Sequence, residues 1–444
     1  MDRTKNLAEI VLDCPWTLEA IEEVIPRFTK AKTKARKQLG AEIYAHFKTP
    51  PSRNALVAFL ENQAHRLTRK LMWERIERAK RFDFEPTKMR VPVAASFASA
   101  IPDLPTVGAL ADWFEQPVGL VDWLSQHRKD HYRVSSMPKR SGGLRILESP
   151  RARLKAIQRM IAYGLLQCIP CHTSAHGFVR GRSAISYVQP HAGKEVVLRM
   201  DLQDFFPSIE ASRVFGLFRC LGYPYSVTQI LTDLCTACSS EEKIRTIVSE
   251  HYRFQSNRDP MERLRRYYCR KHLPQGAPTS PGLANLIAYR LDCRLSGLAR
   301  SAGVRYTRYA DDLLFSGPRD FGRIAKSFAI KVGSIALDES FQVQHRKTRI
   351  MRSATQQVAA GIVINQFTNV KRSEYDLLKA ILFNSIRYGP STQNRDALPD
   401  FQSHLRGRIN WVHQLNPARG EKLMGMFRVI DWLSPQQPTS ADYS

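Results

Sequence analysis

The stretch Gly303-Val-Arg-Tyr-Thr-Arg-Tyr-Ala-Asp-Asp-Leu-Leu-Phe-Ser-Gly317 reads as a hairpin with two acids, Asp311 and Asp312, at its turn. Aromatic and β-branched residues precede the turn and apolar ones follow it, as in paired strands. An Asp-Asp turn by itself is more often a solvated hairpin than a metal site. What surrounds it decides otherwise. Upstream, Val196-Val-Leu-Arg-Met is a short apolar run that ends on Asp201, the pattern of a buried central strand with an acid at its tip. Two adjacent carboxylates flanked by Tyr309-Ala310 and Leu313-Leu314 repel each other, and a third nearby adds to the repulsion unless hard cations neutralise it. Magnesium suits such a site: it takes oxygen ligands, keeps waters and bridges to substrate phosphates.

Working outward, Tyr132-Arg-Val and Pro138-Lys-Arg-Ser-Gly-Gly-Leu-Arg-Ile-Leu147 read as two strands around a Gly-Gly turn, followed by a helix with a basic face from Arg151 to Leu166. Residues 240–272 are charge-dense and read as an exposed helical excursion. Residues 17–90 read mostly as helix: Thr17 has the look of a helix cap, and Leu56, Phe59 and Leu60 fall on one helical face. Residues 91–107, with Pro92, Pro102 and Pro105, read as a connector. Beyond Val370 the chain turns helical again until Trp432, with an apolar stripe at Leu377, Leu378, Ile381, Leu382 and Ile386, and the last twelve residues look frayed. The order is helices, mixed α/β, then helices, which is an α+β class.

Composition fits a partner made of polyphosphate. The 444 residues hold 67 Lys+Arg against 41 Asp+Glu, a formal charge of +26, while 43% apolar residues are ample for a core. The charge is spread rather than gathered on one amphipathic tail: residues 1–90 carry 19 Lys+Arg and 12 Asp+Glu. Acids at Asp2, Glu9 and Asp13 exclude a signal peptide, and the mild apolar run Val91–Ile101 is too short to span a bilayer. Eight cysteines without an export signal point to reduced thiols in the cytoplasm. Cys168/Cys171 and Cys235/Cys238 have C-x-x-C spacing but lie too far apart for a zinc ribbon, which joins its knuckles by roughly 15–20 residues, so buried free thiols are the expectation.

These motifs together resemble the reverse transcriptases. Tyr309-Ala-Asp-Asp312 is similar to their catalytic tetrad and Arg199-Met-Asp-Leu-Gln-Asp-Phe-Phe-Pro-Ser-Ile209 to their first carboxylate motif. Leu273-Pro-Gln-Gly-Ala-Pro-Thr-Ser-Pro281 resembles the loop-helix that holds nucleotide and template, Pro138–Arg145 the finger hairpin, and Gly361-Ile-Val-Ile-Asn365 the primer grip. The motifs stand in the family's order over residues 130–365. The resemblance is nearest to bacterial retron enzymes, through Ser174-Ala-His-Gly-Phe-Val-Arg-Gly-Arg-Ser183, His191-Ala-Gly-Lys194 and the thumb-like Leu405–Pro417.

The resemblance implies a right-hand polymerase with an N-terminal helical extension over 1–107, fingers and palm over 108–365, and a helical thumb with a short tail over 366–444. It implies RNA-directed DNA synthesis on a structured non-coding RNA that also primes, with dNTPs as substrates, two Mg2+ ions (Mn2+ a substitute), an effector protein as partner, no membrane, and a role in phage defence. Carried over by position, Asp201, Asp311 and Asp312 are the catalytic acids and metal ligands, with the Leu202 carbonyl a further ligand. Lys139 and Arg145 clamp the triphosphate, Phe206 is the steric gate against a 2′-hydroxyl, and Gln275 lies near the nucleotide sugar. Lys347 protonates the leaving pyrophosphate, and Gly361, Ile362 and Val363 grip the primer. The plain alternatives are a core Phe beside Phe205, a solvated Lys139 and a structural His191. Two motifs depart from the retron pattern: Tyr187-Val-Gln-Pro-His191 stands for Asn-Ala-x-x-His, and Ala359-Ala-Gly361 for Val-Thr-Gly. A defence polymerase outside the retrons and a catalytically silent RNA-binding scaffold are the two other readings.

Overall fold

The computed structural model of the chain describes residues 3–28, 33–63, 101–139, 144–251 and 259–432. The expected helix and connector over 64–100, the Gly-Gly turn and the tail after Trp432 lie outside the described residues. The chain forms two compact units and passes between them three times: Met1–His172 with Asp204–Arg290, and Thr173–Gln203 with Leu291–Ser444. Each unit gathers two separate stretches of the chain.

In the first unit, helices Arg3–Leu12, Leu18–Phe28, Thr33–His46 and Arg53–Gln63 enclose a core of Leu7, Val11, Ile21, Ile25, Ile43, Leu56 and Leu60. Thr17 caps the second of these, its hydroxyl accepting the Ala20 N–H. Strands β1 (Tyr132–Pro138) and β2 (Leu144–Pro150) pair antiparallel, with Met137 opposite Arg145. Helix Ala152–Gly164 buries Leu154, Ile157 and Ile161 and leaves Arg153, Lys155 and Arg159 exposed, the amphipathic pattern expected of it. The charge-dense segment forms helices Glu241–His251 and Asp259–Tyr268, and it is more than an exposed excursion. Ile244 and Tyr268 close a small core on Ile146 of β2, because apolar residues recur among the charges.

The second unit is built on a four-stranded antiparallel sheet in the order β4-β5-β3-β6, from β3 (Val196–Asp201), β4 (Arg305–Tyr309), β5 (Asp312–Gly317) and β6 (Arg349–Arg352). Strands β3 and β5 are buried nearly throughout. Helix Phe321–Asp338 covers the sheet with Phe321 and Phe328, whose rings pack edge-on to each other, and the Phe328 ring packs edge-on to Phe315 of β5 as well. Helices Arg372–Tyr388, Phe401–Leu415 and Pro417–Arg428 add Leu378, Leu382, Ile409, Val412 and Phe427 to a core that includes Val197 and Leu314 of the sheet. Of the apolar stripe, Leu378 and Leu382 are buried while Leu377 and Ile386 are exposed.

His191 is a structural histidine of this unit. It is fully buried, with Nδ1 2.7 Å from the Ser316 hydroxyl and Nε2 2.8 Å from that of Thr307. Thr307 donates its proton to the Tyr187 carbonyl, so it accepts from Nε2–H, and Ser316 donates to Nδ1. Burial lowers the imidazole pKa to about 3, which keeps the ring neutral. No helix among the described residues is long and apolar enough to cross a membrane. All eight cysteines are free thiols, and of them Cys14 and Cys235 are buried.

Candidate active site

The three candidate acids meet at one end of the second unit's sheet because strand register brings them there. Asp201 is the last residue of β3 and pairs with Asp312, the first of β5. Tyr309 pairs with Asp312 across the β4–β5 hairpin, so Ala310 and Asp311 form a two-residue turn. Such a turn needs a left-handed residue, and Ala310 supplies it at φ +54. The Leu202 N–H donates to the Asp311 carbonyl at 2.8 Å, tying the chain after β3 to the turn.

Each acid has its own surroundings. Asp201 is buried, and the half-exposed Lys347 donates from Nζ to both its oxygens at 2.9 and 3.0 Å. Asp312 is chelated by Arg199, Nε to Oδ1 at 2.7 Å and Nη2 to Oδ2 at 2.6 Å. Burial raises the Asp312 pKa and the Arg199 guanidinium works against the rise. Asp311 faces the most hostile setting: burial first, then the like charges of Asp201 and Asp312, push its carboxyl up to about 6. Among the described residues no three His, Cys, Asp or Glu side chains converge as a ready-made metal cage, consistent with Asp312 being turned onto Arg199. Two carboxylates suffice for magnesium, which completes its shell with water and phosphate oxygens.

The primer-grip candidates belong to the same unit. Strands β7 (Val358–Ala359) and β8 (Ile362–Val363) form a small hairpin with Ala360 at φ +48 and Gly361 at φ +80, the pair of left-handed residues that the tightest hairpin turn requires. Ile362 is buried in the core, Gly361 is exposed, and Val363 exchanges two backbone hydrogen bonds with Asn369.

The remaining candidates belong to the first unit. Lys139 follows β1 and reaches Asp204 Oδ1 at 3.3 Å, while Arg263 forks onto Oδ2 of the same acid. Asp204 itself adopts φ +46, two residues before Phe206. Phe206 is half-buried beside Phe205, with ring centroids 5.6 Å apart, and Arg145 is exposed on β2. The Gln275 carbonyl accepts the Glu148 N–H at 2.9 Å, which ties its loop to β2. Glu148 is wholly buried, bridging Ser239 Oγ and His272 Nε2 at 2.6 Å each. Sequence reasoning missed Arg199, Asp204, Arg263 and Glu148. The signal for Arg199 was present: it is the one charge inside an apolar strand, on the same face as Asp201.

A family model described as "Reverse transcriptase (RNA-dependent DNA polymerase)" matches residues 137–378. Among characterised proteins the chain is 38% identical over 317 residues to a retron Mx65 reverse transcriptase of Myxococcus xanthus, covering 69% of this chain and 67% of that one. It is 32% identical over 359 residues to the retron Mx162 enzyme of the same organism, covering 77% of this chain and 70% of the other. A retron Ec86 reverse transcriptase of Escherichia coli matches at 30% over 297 residues, 66% of this chain and 79% of that one. The matches thus reach the retron branch despite the departures at 187–191 and 359–361, and with the ordered motifs they settle the assignment: the chain belongs to the bacterial retron-type reverse transcriptases, the RNA-directed DNA polymerases of that branch.

Proposed function

We propose that this polymerase copies a structured non-coding RNA into single-stranded DNA, with Asp201 and Asp311 as the principal ligands of divalent metal and Asp312 assisting from the turn. The observation that carries the reading is the register that sets Asp201 opposite Asp312 with Asp311 at the tip, where burial and like charge leave Asp311 in need of a cation. The Leu202 carbonyl is a further ligand, and Mg2+ fits the all-oxygen donor set, with Mn2+ as a substitute. The chemistry that two such ions would supply when held there is a lowered pKa for the primer hydroxyl and neutralised charge on the departing pyrophosphate.

The chain's own residues do the rest. Lys139 and Arg145 bind the triphosphate through charge-assisted hydrogen bonds, Lys139 exchanging Asp204 for phosphate. Phe206 packs on the deoxyribose and leaves no room for a 2′-hydroxyl, and Gln275 lies against the sugar. Lys347, held at the Asp201 carboxylate, gives a proton to the leaving pyrophosphate. Gly361, Ile362 and Val363 steady the primer end. The RNA–DNA hybrid is gripped through its backbone and A-form shape by a chain of charge +26, so affinity falls steeply with salt.

The same reading makes a dedicated small RNA both template and primer, yields a branched RNA–DNA product, and places the enzyme with an effector protein in phage defence. The test is to express the chain beside its native flanking DNA and digest the co-purifying nucleic acid separately with RNase and DNase. A discrete DNA band, shortened by RNase and missing from the Asp311→Ala/Asp312→Ala variant, is the expected outcome. RNA alone in both samples would overturn the proposal.

A further inference from the structure

A fully buried ion pair lies directly behind the acid-bearing turn. Arg308, next to the tetrad on β4, has no solvent exposure, nor has Asp292 on helix Tyr289–Ser301. The guanidinium forks onto that carboxylate, Nε to Oδ1 at 2.8 Å and Nη2 to Oδ2 at 2.7 Å, and Tyr306 adds its hydroxyl to Oδ1 at 2.8 Å. The remaining edge of the guanidinium points forward: Nη1 donates to the Ala310 carbonyl at 3.0 Å.

Stability does not explain such a pair, because desolvating two charges offsets most of their attraction and apolar residues of similar volume do as well. A geometric role does explain it. Ala310 holds a left-handed conformation that a residue with a Cβ adopts only when its surroundings impose it. Three contacts impose it here. Arg308 fixes the carbonyl on one side of the turn, and Leu202 fixes the next carbonyl, that of Asp311. The segment Ser174–Phe178 closes the back, exchanging hydrogen bonds with the Arg308 backbone through the Ser174 carbonyl and the His176 N–H, both at 2.7 Å. It can lie this close because position 177 is glycine: a Cβ there would sit 2.6 Å from the Ala310 nitrogen and 3.1 Å from the Tyr309 carbonyl carbon.

We propose that Asp292 and Arg308 are positioning residues for polymerisation, Asp292 orienting the guanidinium that sets the Ala310–Asp311 turn and hence the Asp311 carboxylate, with Gly177 the gap that lets the turn be backed. The proposal rests on Asp311 being a metal ligand. Arg308→Lys keeps the buried charge but cannot fork onto Asp292 and reach Ala310 at once. Gly177→Ala pushes the same turn from behind and leaves the ion pair intact.

The experiment compares both variants with Asp311→Asn in RNA-templated primer extension. It adds two readouts, RNA affinity and Mn2+ binding to the protein–template complex followed by electron paramagnetic resonance. For both variants kcat falls roughly 10- to 100-fold, as for a catalytic group displaced by a fraction of an ångström to an ångström. KM for dNTP and RNA affinity stay within about twofold, and Mn2+ binding weakens. A folded Arg308→Lys with wild-type kcat and Mn2+ binding would overturn the proposal, as would a loss of turnover matched by an equal loss of RNA affinity. Where Arg308→Lys fails to fold, Gly177→Ala decides by the same criteria. Asp311→Asn separates the two readings: if it retains turnover, the site assignment has failed, whereas a dead Asp311→Asn beside wild-type positioning variants defeats this inference alone.

Discussion

Two of the hairpins that hold candidate site residues are built oppositely. The β4–β5 hairpin is buried along both strands, its turn tied by Arg308, Leu202 and the Gly177 segment, and it presents short, stiff acids. The β1–β2 hairpin is exposed along most of β1 and presents long basic side chains, Lys139 just past β1 and Arg145 on β2. A metal tolerates little error in the place of its ligands, so acids belong on a turn that its surroundings over-determine. A triphosphate is bound by charge at the end of a flexible stem, which tolerates a looser support. Substitutions in the buried hairpin are therefore expected to act on turnover or stability, and those at the residues proposed to meet the nucleotide on selection and KM.

The largest effect short of abolishing the metal site is expected at Phe206. Phe206→Val should lower discrimination against ribonucleotides by roughly 10²-fold, the scale on which one hydroxyl is rejected by an apolar surface. Competition between dNTP and rNTP in single-nucleotide extension measures it, and unchanged discrimination would put the gate elsewhere. Next comes a stability effect in the second unit. The His191 ring stays neutral down to about pH 3, whereas an unfolded histidine takes its proton near 6.5. The stability it contributes is whole above pH 6.5 and is lost as pH falls from there toward 3, by about 2 kcal/mol between pH 7 and 5. Urea unfolding at both pH values should show that much less acid sensitivity in His191→Gln. Equal sensitivity would break the assignment of a buried neutral ring. The smallest effect is Lys139→Ala, which should raise KM for dNTP about tenfold at nearly constant kcat, the worth of one charge-assisted hydrogen bond. A fall in kcat instead would erase the contrast between the hairpins.

Much of the acid site was legible because its signal is local. An apolar run ending in Asp201 and an Asp-Asp at a hairpin tip need only strand periodicity to place them, and register then brings Asp201 opposite Asp312. What holds the acids was less legible. Arg199 is a half-buried charge on a central strand, and Arg308 and Asp292 are fully buried; their partners lie 113 residues away for Arg199 and 16 for Arg308, and a sequence does not say whether such a charge is solvated or paired. Asp204 with Lys139 and Arg263 is the same case, joining three segments. The helical stripe at 377–386 set the period but not its centre, which falls on Leu378 and Leu382. The compact units could not be read from chain order, since each gathers two separate stretches.

The most direct measurement is single-turnover incorporation of one dNTP on an RNA template by Asp201→Asn and Asp311→Asn, with RNA affinity measured on the same preparations. Loss of turnover by about 10³-fold or more, the scale of a lost electrostatic element of a preorganised site, with RNA affinity intact, is the expected result. Turnover near wild type in either variant would contradict the assignment of these two carboxylates as the metal ligands of the polymerase.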